Sequence, residues 1–183
     1  MSISTDKLEI KLFNSGEEFP KQTDCLWSIA SGVVKSYTVS EGESITLGFW
    51  GTEDLVGQSL STIGSCNFKC LSKVKAIAVP QAQWEIAFPT LLYTVQQTQQ
   101  LTFIIRNTRI ARRLWLLLEW LSVKFGRSIK QGQLIDFELT HQELAEAIGA
   151  TRITVTKTLN QFERKGLILR PKTKCIILKR KGV

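Results

Sequence analysis

The stretch LTHQELAEAIGATRITVTKTLNQFERKGLI, Leu139 to Ile168, holds two short amphipathic patterns joined by a glycine. It opens on Thr140-His141-Gln142-Glu143. There the threonine hydroxyl can accept the N–H three residues on while the glutamate reaches back, which is a capping box. Leu144 and Ile148 then share one helical face, with small Ala145 between them. Gly149 supplies a tight turn, and Thr151 caps a second helix. Val155, Leu159 and Phe162 recur on one side of that helix at spacings of four and three. A small residue where two helices touch, a glycine where the backbone needs a positive φ, and an apolar row on the second helix are the steric demands of a helix-turn-helix. Burying that row turns Arg152, Ile153, Thr156, Lys157 and Asn160 outward together.

That outward face suits a DNA major groove, about 12 Å wide, entered by the helix N-terminus. Arg152 can donate twice to guanine O6 and N7. Ile153 and the Thr156 methyl can touch a thymine methyl, and Lys157 can donate to guanine or phosphate. Thr140, His141, Thr151 and Thr154 sit near helix starts, where phosphates are held. Asn160 and Lys172 complete the expected backbone contacts. Arg164, Lys165, Arg170 and Lys174 add nonspecific attraction around a wing formed by LILR, a Pro171-Lys172 turn and CIILKR.

Charge supports a polyanion partner for this end of the chain. Residues 1–88 carry seven Lys/Arg against ten Asp/Glu, a net of −3. Residues 89–183 carry seventeen against six, a net of +11. The chain of 183 residues is 43% hydrophobic and 22% charged, so it can bury a core. No apolar run reaches the roughly 18 residues of a membrane span. The N-terminus MSISTDKLEI lacks the layout of a secretory signal, so a cytoplasmic location is expected. Cys25, Cys66, Cys70 and Cys175 show no CxxC pair and no metal-ligand spacing, so no metal is expected.

Upstream, residues 8–80 read as β: LEIKLF, LWSIA, VVKSYTV, SITLGFW and VKAIAV alternate with turn-formers. VVKSYTVSEGESITLGFW reads as a hairpin with Glu41-Gly42 near its tip. Many short strands imply a barrel or sandwich. Beyond Pro80, QAQWEIAF reads as a short helix stopped by Pro89, which also suits the first turn of the next helix. TLLYTVQQTQQLTFIIRN then places Leu91, Val95, Thr98, Leu101 or Thr102, and Ile105 on a narrow seam suited to pairing with a second copy. Asn107-Thr108 can cap a further helix, RIARRLWLLLEWLSVKFG, stopped by Gly126, which makes Thr108 a candidate hinge. QLIDFEL reads as a strand.

These residues resemble the cyclic-AMP receptor protein and fumarate–nitrate reductase regulator family. LTHQELAEAIGATRITVTK is most similar to its cyanobacterial nitrogen-control branch. The resemblance covers nearly the whole chain and implies an α+β fold: a cyclic-nucleotide-binding-like β-roll (1–89), a dimerisation helix (90–107) and a winged helix-turn-helix (108–183). It implies a homodimer on palindromic promoter sites of double-stranded DNA, contacting RNA polymerase. Apart from the resemblance, the SEGES loop could touch polymerase or be an ordinary exposed hairpin, and the hairpin is the favoured reading. Arg152, Ile153 and Lys157 match the family's base-reading positions. Many members carry Glu where this chain has Ile153, so a different half-site is expected, with a thymine-containing core. The family's nucleotide pocket uses a Gly-Glu pair and a later Arg-Ser or Arg-Thr step. Here Gly57-Gln58-Ser59 and Lys69 stand in that region, which argues against cyclic AMP. Another metabolite, such as 2-oxoglutarate, or no effector is left open. The dispersed cysteines do not suit an iron–sulfur cluster, and thiol oxidation between Cys66 and Cys70 is left open.

Two other classes compete. A cupin-like barrel enzyme needs several His ligands, and His141 is the sole histidine. A nucleoid or adaptor protein could use the same winged helix without sequence preference, which salt-dependent, sequence-blind binding would reveal.

Overall fold

The computed structural model describes residues 9–171 and 175–179. Lys172 and Lys174, with the turn expected there, lie outside the described residues. The fold is α+β. Two compact units emerge. One joins the chain up to Val39 to Phe49–Gln97, and the other joins Ser40–Gly48 to the chain from Thr98 onward.

The N-terminal strands are β1 (Ile10–Phe13), β2 (Cys25–Ser31), β3 (Val34–Ser40), β4 (Glu43–Trp50), β5 (Leu55–Val56), β6 (Asn67–Cys70) and β7 (Val74–Pro80). They form a four-stranded sheet in the order β1-β7-β2-β5 and a three-stranded sheet in the order β4-β3-β6. Branched and aromatic side chains make these strands because a pleated, covered surface suits them. Leu26, Trp27, Ile29, Val34, Phe49 and Val56 are buried. Phe13, Phe19 and Trp27 form an aromatic cluster with centroids 4.4 to 5.9 Å apart. The hairpin between β3 and β4 turns at Glu41 and Gly42, with φ of 53° and 81°. Two successive positive φ values are what a tight, right-twisted hairpin demands.

A 3-10 segment, Gln81–Ala87, runs directly into α1 (Phe88–Ile105). Pro89 therefore does not stop a separate helix. It does occupy the first turn of the next helix, α1, as its fixed φ suggested, where its missing N–H leaves no bond unmade. The expected range of 90–107 shifts back by two residues.

The seam on α1 needs a larger correction. Leu101 is only 6% exposed, and Leu91 is half-buried. Both face the molecule's own body rather than a partner. Val95 is 56% exposed and Phe103 68%, with Phe88 and Leu92 also open. At about 100° per residue, the exposed apolar stripe Phe88–Leu92–Val95–Phe103 lies roughly a quarter-turn from the expected one. Of the expected seam, Val95, Thr98, Thr102 and Ile105 are exposed, but only Val95 and Thr102 lie close to that stripe. Thr102 returns its hydroxyl to the Thr98 carbonyl, so its polarity is satisfied within the helix.

The following helix, α2 (Ile110–Phe125), is capped by Arg109 without a side-chain bond. Asn107 serves the preceding helix instead. Its Nδ2 donates to the carbonyls of Phe103 and Ile104, at 2.8 and 3.3 Å, closing the end of α1. Gly126 does end α2, but in extended backbone (φ −94°). Its reason is space: a Cβ there would meet the Ser122 carbonyl oxygen at 2.2 Å.

Four strands complete the second unit: β8 (Gly126–Ile129), β9 (Gly132–Ile135), β10 (Ile168–Leu169) and β11 (Ile176–Leu178), in the order β10-β11-β9-β8. Only the front of QLIDFEL is strand, and its partner β8 went unforeseen because GRSI carries little apolar alternation. The β10–β11 pair matches the expected wing hairpin, with Ile168 opposite Leu178.

Candidate nucleic-acid interface

Two short helices, α3 (His141–Ile148) and α4 (Arg152–Arg164), form where the opening stretch places them. Thr140 Oγ1 accepts from the Glu143 N–H at 3.1 Å, and the Thr140 N–H donates to Glu143 Oε2 at 2.9 Å. Both halves of the capping box are therefore made. Gly149 closes α3 at φ 61°, ψ 56°, the left-handed region that favours glycine. Thr151 Oγ1 accepts from the Thr154 N–H at 3.2 Å and starts α4.

Packing then sets the orientation. Val155 and Leu159 are fully buried and Phe162 nearly so. The Phe162 ring meets Trp115 of α2 edge-on at 5.5 Å. Leu144 and Ile148 of α3 and Leu114, Leu117, Leu118 and Leu121 of α2 are all at 0% exposure. Each such side chain contributes about 1.5–3 kcal/mol when taken from water. Ala145, 1% exposed, is the small residue in this packed layer.

With that row inward, Arg152, Ile153, Lys157 and Asn160 are exposed, Ile153 by 67%. Thr140 and Thr151 are exposed, while His141, Thr154 and Thr156 are half-buried. Thr156 is held on both sides. Its hydroxyl donates to the Arg152 carbonyl at 2.9 Å, and His141 Nδ1 lies 2.8 Å from Thr156 Oγ1. The hydroxyl is thus engaged by both partners, and Thr156 offers the outside its methyl.

Arg170 differs from expectation. It is half-buried and bonded to Glu163 and Asn160, so it is no free surface cation. Sequence spacing gave no signal for this, because the partners lie seven and ten residues away on another element.

Burial holds the His141 imidazole below its usual range, and the Arg170 and Arg152 charges push the same way. The unfolded chain therefore binds the proton more readily than the folded one. Stability on this account is complete above about pH 6.5 and falls as pH drops through the window between that value and the lowered folded one. Thermal melts of the chain and of His141→Gln from pH 7.5 to 5 are expected to converge on the acid side. A difference constant in pH would sink this account.

The roll residues expected for an effector come from two segments. Gly57, Gln58 and Ser59 follow β5 of the four-stranded sheet, while Lys69 lies on β6 of the other. Ser59 Oγ already donates to the Thr23 carbonyl at 2.6 Å. Gly57 packs closely, a Cβ there meeting Leu26 Cδ2 at 2.8 Å. Cys66 and Cys70 are both buried free thiols. Burial raises the Cys66 thiol, and burial with the nearby Glu17 carboxylate pushes Cys70 up to about 12. Four residues of extended chain separate them by roughly 13 Å, beyond the reach of a disulfide.

Comparison with known proteins agrees with this geometry. Residues 108–182 match a family described as the Crp-like helix-turn-helix domain. The chain is 37% identical over 155 residues to the regulatory protein CysR of Synechococcus elongatus, covering 82% of this chain and 75% of that one. It is 35% identical over 85 residues to the global nitrogen regulator of a Nostoc species, covering 46% and 38%. In fold it is similar to a CRP-family transcriptional regulator from Thermus thermophilus, with a TM-score of 0.79 at 18% identity over 93% of this chain and 92% of that one. No helix among the described residues is long and apolar enough to cross a membrane. A capped helix-turn-helix beside an N-terminal β domain, with relatives of this kind, makes the chain a member of the cyclic-AMP receptor protein and fumarate–nitrate reductase regulator (CRP/FNR) family of DNA-binding transcription regulators, in its cyanobacterial branch.

Proposed function

We propose that the chain acts as a homodimer on palindromic promoter sites and contacts RNA polymerase from there. The observation that carries this is the outward row on α4: Arg152, Ile153, the Thr156 methyl and Lys157 stand over a fully packed Val155–Leu159–Phe162 side. A guanidinium, two methyl-bearing groups and an ammonium can read guanine and thymine edges in a major groove. Thr140, His141, Thr151, Thr154 and Asn160 supply the backbone contacts. Ile153 replaces a carboxylate that would accept from cytosine N4, which favours a half-site with a thymine-containing core.

The functional parts are the roll (1–87), the central helix α1 (Phe88–Ile105) and the winged domain (108–183), with Thr108 as the hinge. Cyclic AMP is not the effector, because Gly57-Gln58 lacks the carboxylate for a ribose and Lys69 cannot fork onto a phosphate as Arg does.

Selection from random duplexes, with and without cyclic AMP, tests this. Recovery of an inverted repeat with thymine in each half, indifferent to cyclic AMP, is expected. Recovery of no motif, with affinity set by salt alone, would mean a sequence-blind binder.

Pairing uses the exposed stripe Phe88, Leu92, Val95 and Phe103 of α1. A charge placed in such a seam is expensive to bury. Val95→Asp is therefore expected to yield a monomer by sedimentation, and half-site DNA is bound where the full palindrome was. A dimer that survives Val95→Asp places the twofold contact elsewhere.

A further inference from the structure

Arg170 follows the short strand β10, and its guanidinium turns back onto α4. Nη2 donates to Asn160 Oδ1 at 2.6 Å and to Glu163 Oε2 at 2.5 Å. Nε donates to the same Glu163 oxygen at 3.2 Å, and the backbone N–H of Arg170 donates to Glu163 Oε1, also at 3.2 Å. One side chain thus ties the strand to two residues of the helix.

The first consequence is polarity. A carboxamide has an acceptor end and a donor end, and free in solvent it can present either. With Oδ1 held by Arg170, the exposed Asn160 presents Nδ2 and its N–H groups. The second consequence is charge. The Glu163 carboxylate lies beside the same edge of α4 and would repel a phosphate. Arg170 pairs with it, and that hydrogen bond lowers its pKa, so the carboxylate stays ionised and paired.

Position indicates what the donor meets. Asn160 is eight residues beyond Arg152, about 12 Å along the helix axis. A major groove is about 8.5 Å deep, so a helix entering by its N-terminus has climbed to the groove rim by that point. The rim is lined by phosphate oxygens, which only accept.

We propose that Arg170 is a positioning residue of the DNA interface: it locks the Asn160 carboxamide donor-outward, so that Asn160 holds one phosphate oxygen in each half-site. The inference rests on the duplex-binding function proposed above. Arg170 itself touches no DNA in this scheme; it acts through Asn160.

The test uses the full chain, its selected duplex, and duplexes carrying a single neutral methylphosphonate at each backbone position in turn. For the unmodified chain, one position near the C-terminal end of α4 is expected to cost about tenfold in affinity, as for a hydrogen bond to a charged group. Asn160→Asp removes the outward donor yet keeps a partner for Arg170, so the domain stays folded. It is expected to cut that position's penalty to the level of its neighbours, and Arg170→Ala to do the same with other positions unchanged. Arg170→Lys, which can still donate to Oδ1, is expected to restore part of it. A penalty that survives Asn160→Asp overturns the proposal, as does an unchanged penalty in an Arg170→Ala chain shown to be folded. If the unmodified chain binds no duplex, the DNA function and this inference fall together. Binding with no Asn160-dependent phosphate sinks the inference alone.

Discussion

Replacing Leu159 by Ala is expected to lower the unfolding free energy of the second unit by about 2–5 kcal/mol. Leu159 is at 0% exposure on the inward side of α4, so truncation leaves a cavity in a close-packed layer. Most of a small domain's stability can be lost this way. DNA binding should disappear in step with folding, not before it. Lys157→Ala is the matched control, because an exposed position without special backbone demands changes stability by only about 0.5 kcal/mol either way. Denaturant titration followed by tryptophan fluorescence reports the difference, since Trp115 abuts Phe162 in the same layer. Equal midpoints for the two variants would mean that α4 is not packed as described.

Arg152→Ala is expected to act on DNA choice rather than on folding. Arg152 begins α4 and is exposed, so its loss leaves the core untouched. A bidentate contact to guanine is worth about 1–3 kcal/mol of discrimination. The variant should therefore bind the selected site some 5- to 150-fold more weakly and lose preference at one position of each half-site. Lys157→Ala provides the contrast. If its ammonium meets phosphate, affinity falls evenly across sequences and the salt slope drops by about one. An Arg152→Ala chain that binds every sequence more weakly by the same factor would make Arg152 a phosphate clamp instead. The base-reading role would then pass to Ile153 and Thr156.

The corrections share a cause. On α1, Leu91 and Leu101 are as apolar as Leu92 and Phe103, and the 3-to-4 spacing is met by stripes on more than one side. Composition does not say which stripe the molecule's own body covers. Asn107 stands equally well before one helix or after another, and its side chain chose the carbonyls of Phe103 and Ile104. Arg170 reads as a loose basic residue until Glu163 and Asn160 are brought beside it.

What the chain's own order of residues determined is local. The Thr140–Glu143 box, the left-handed Gly149, the Thr151 cap, the Glu41-Gly42 turn and the apolar spacing along α4 each depend on groups within a few residues of one another. Backbone sterics and short hydrogen bonds settle such features before anything distant arrives. Tertiary structure alone decided the phase of α1, the contact of His141 with the Thr156 hydroxyl, and the capture of Arg170 by α4. Those outcomes depend on which surfaces are withdrawn from water and which polar groups then need partners. That balance is struck between segments far apart in the chain.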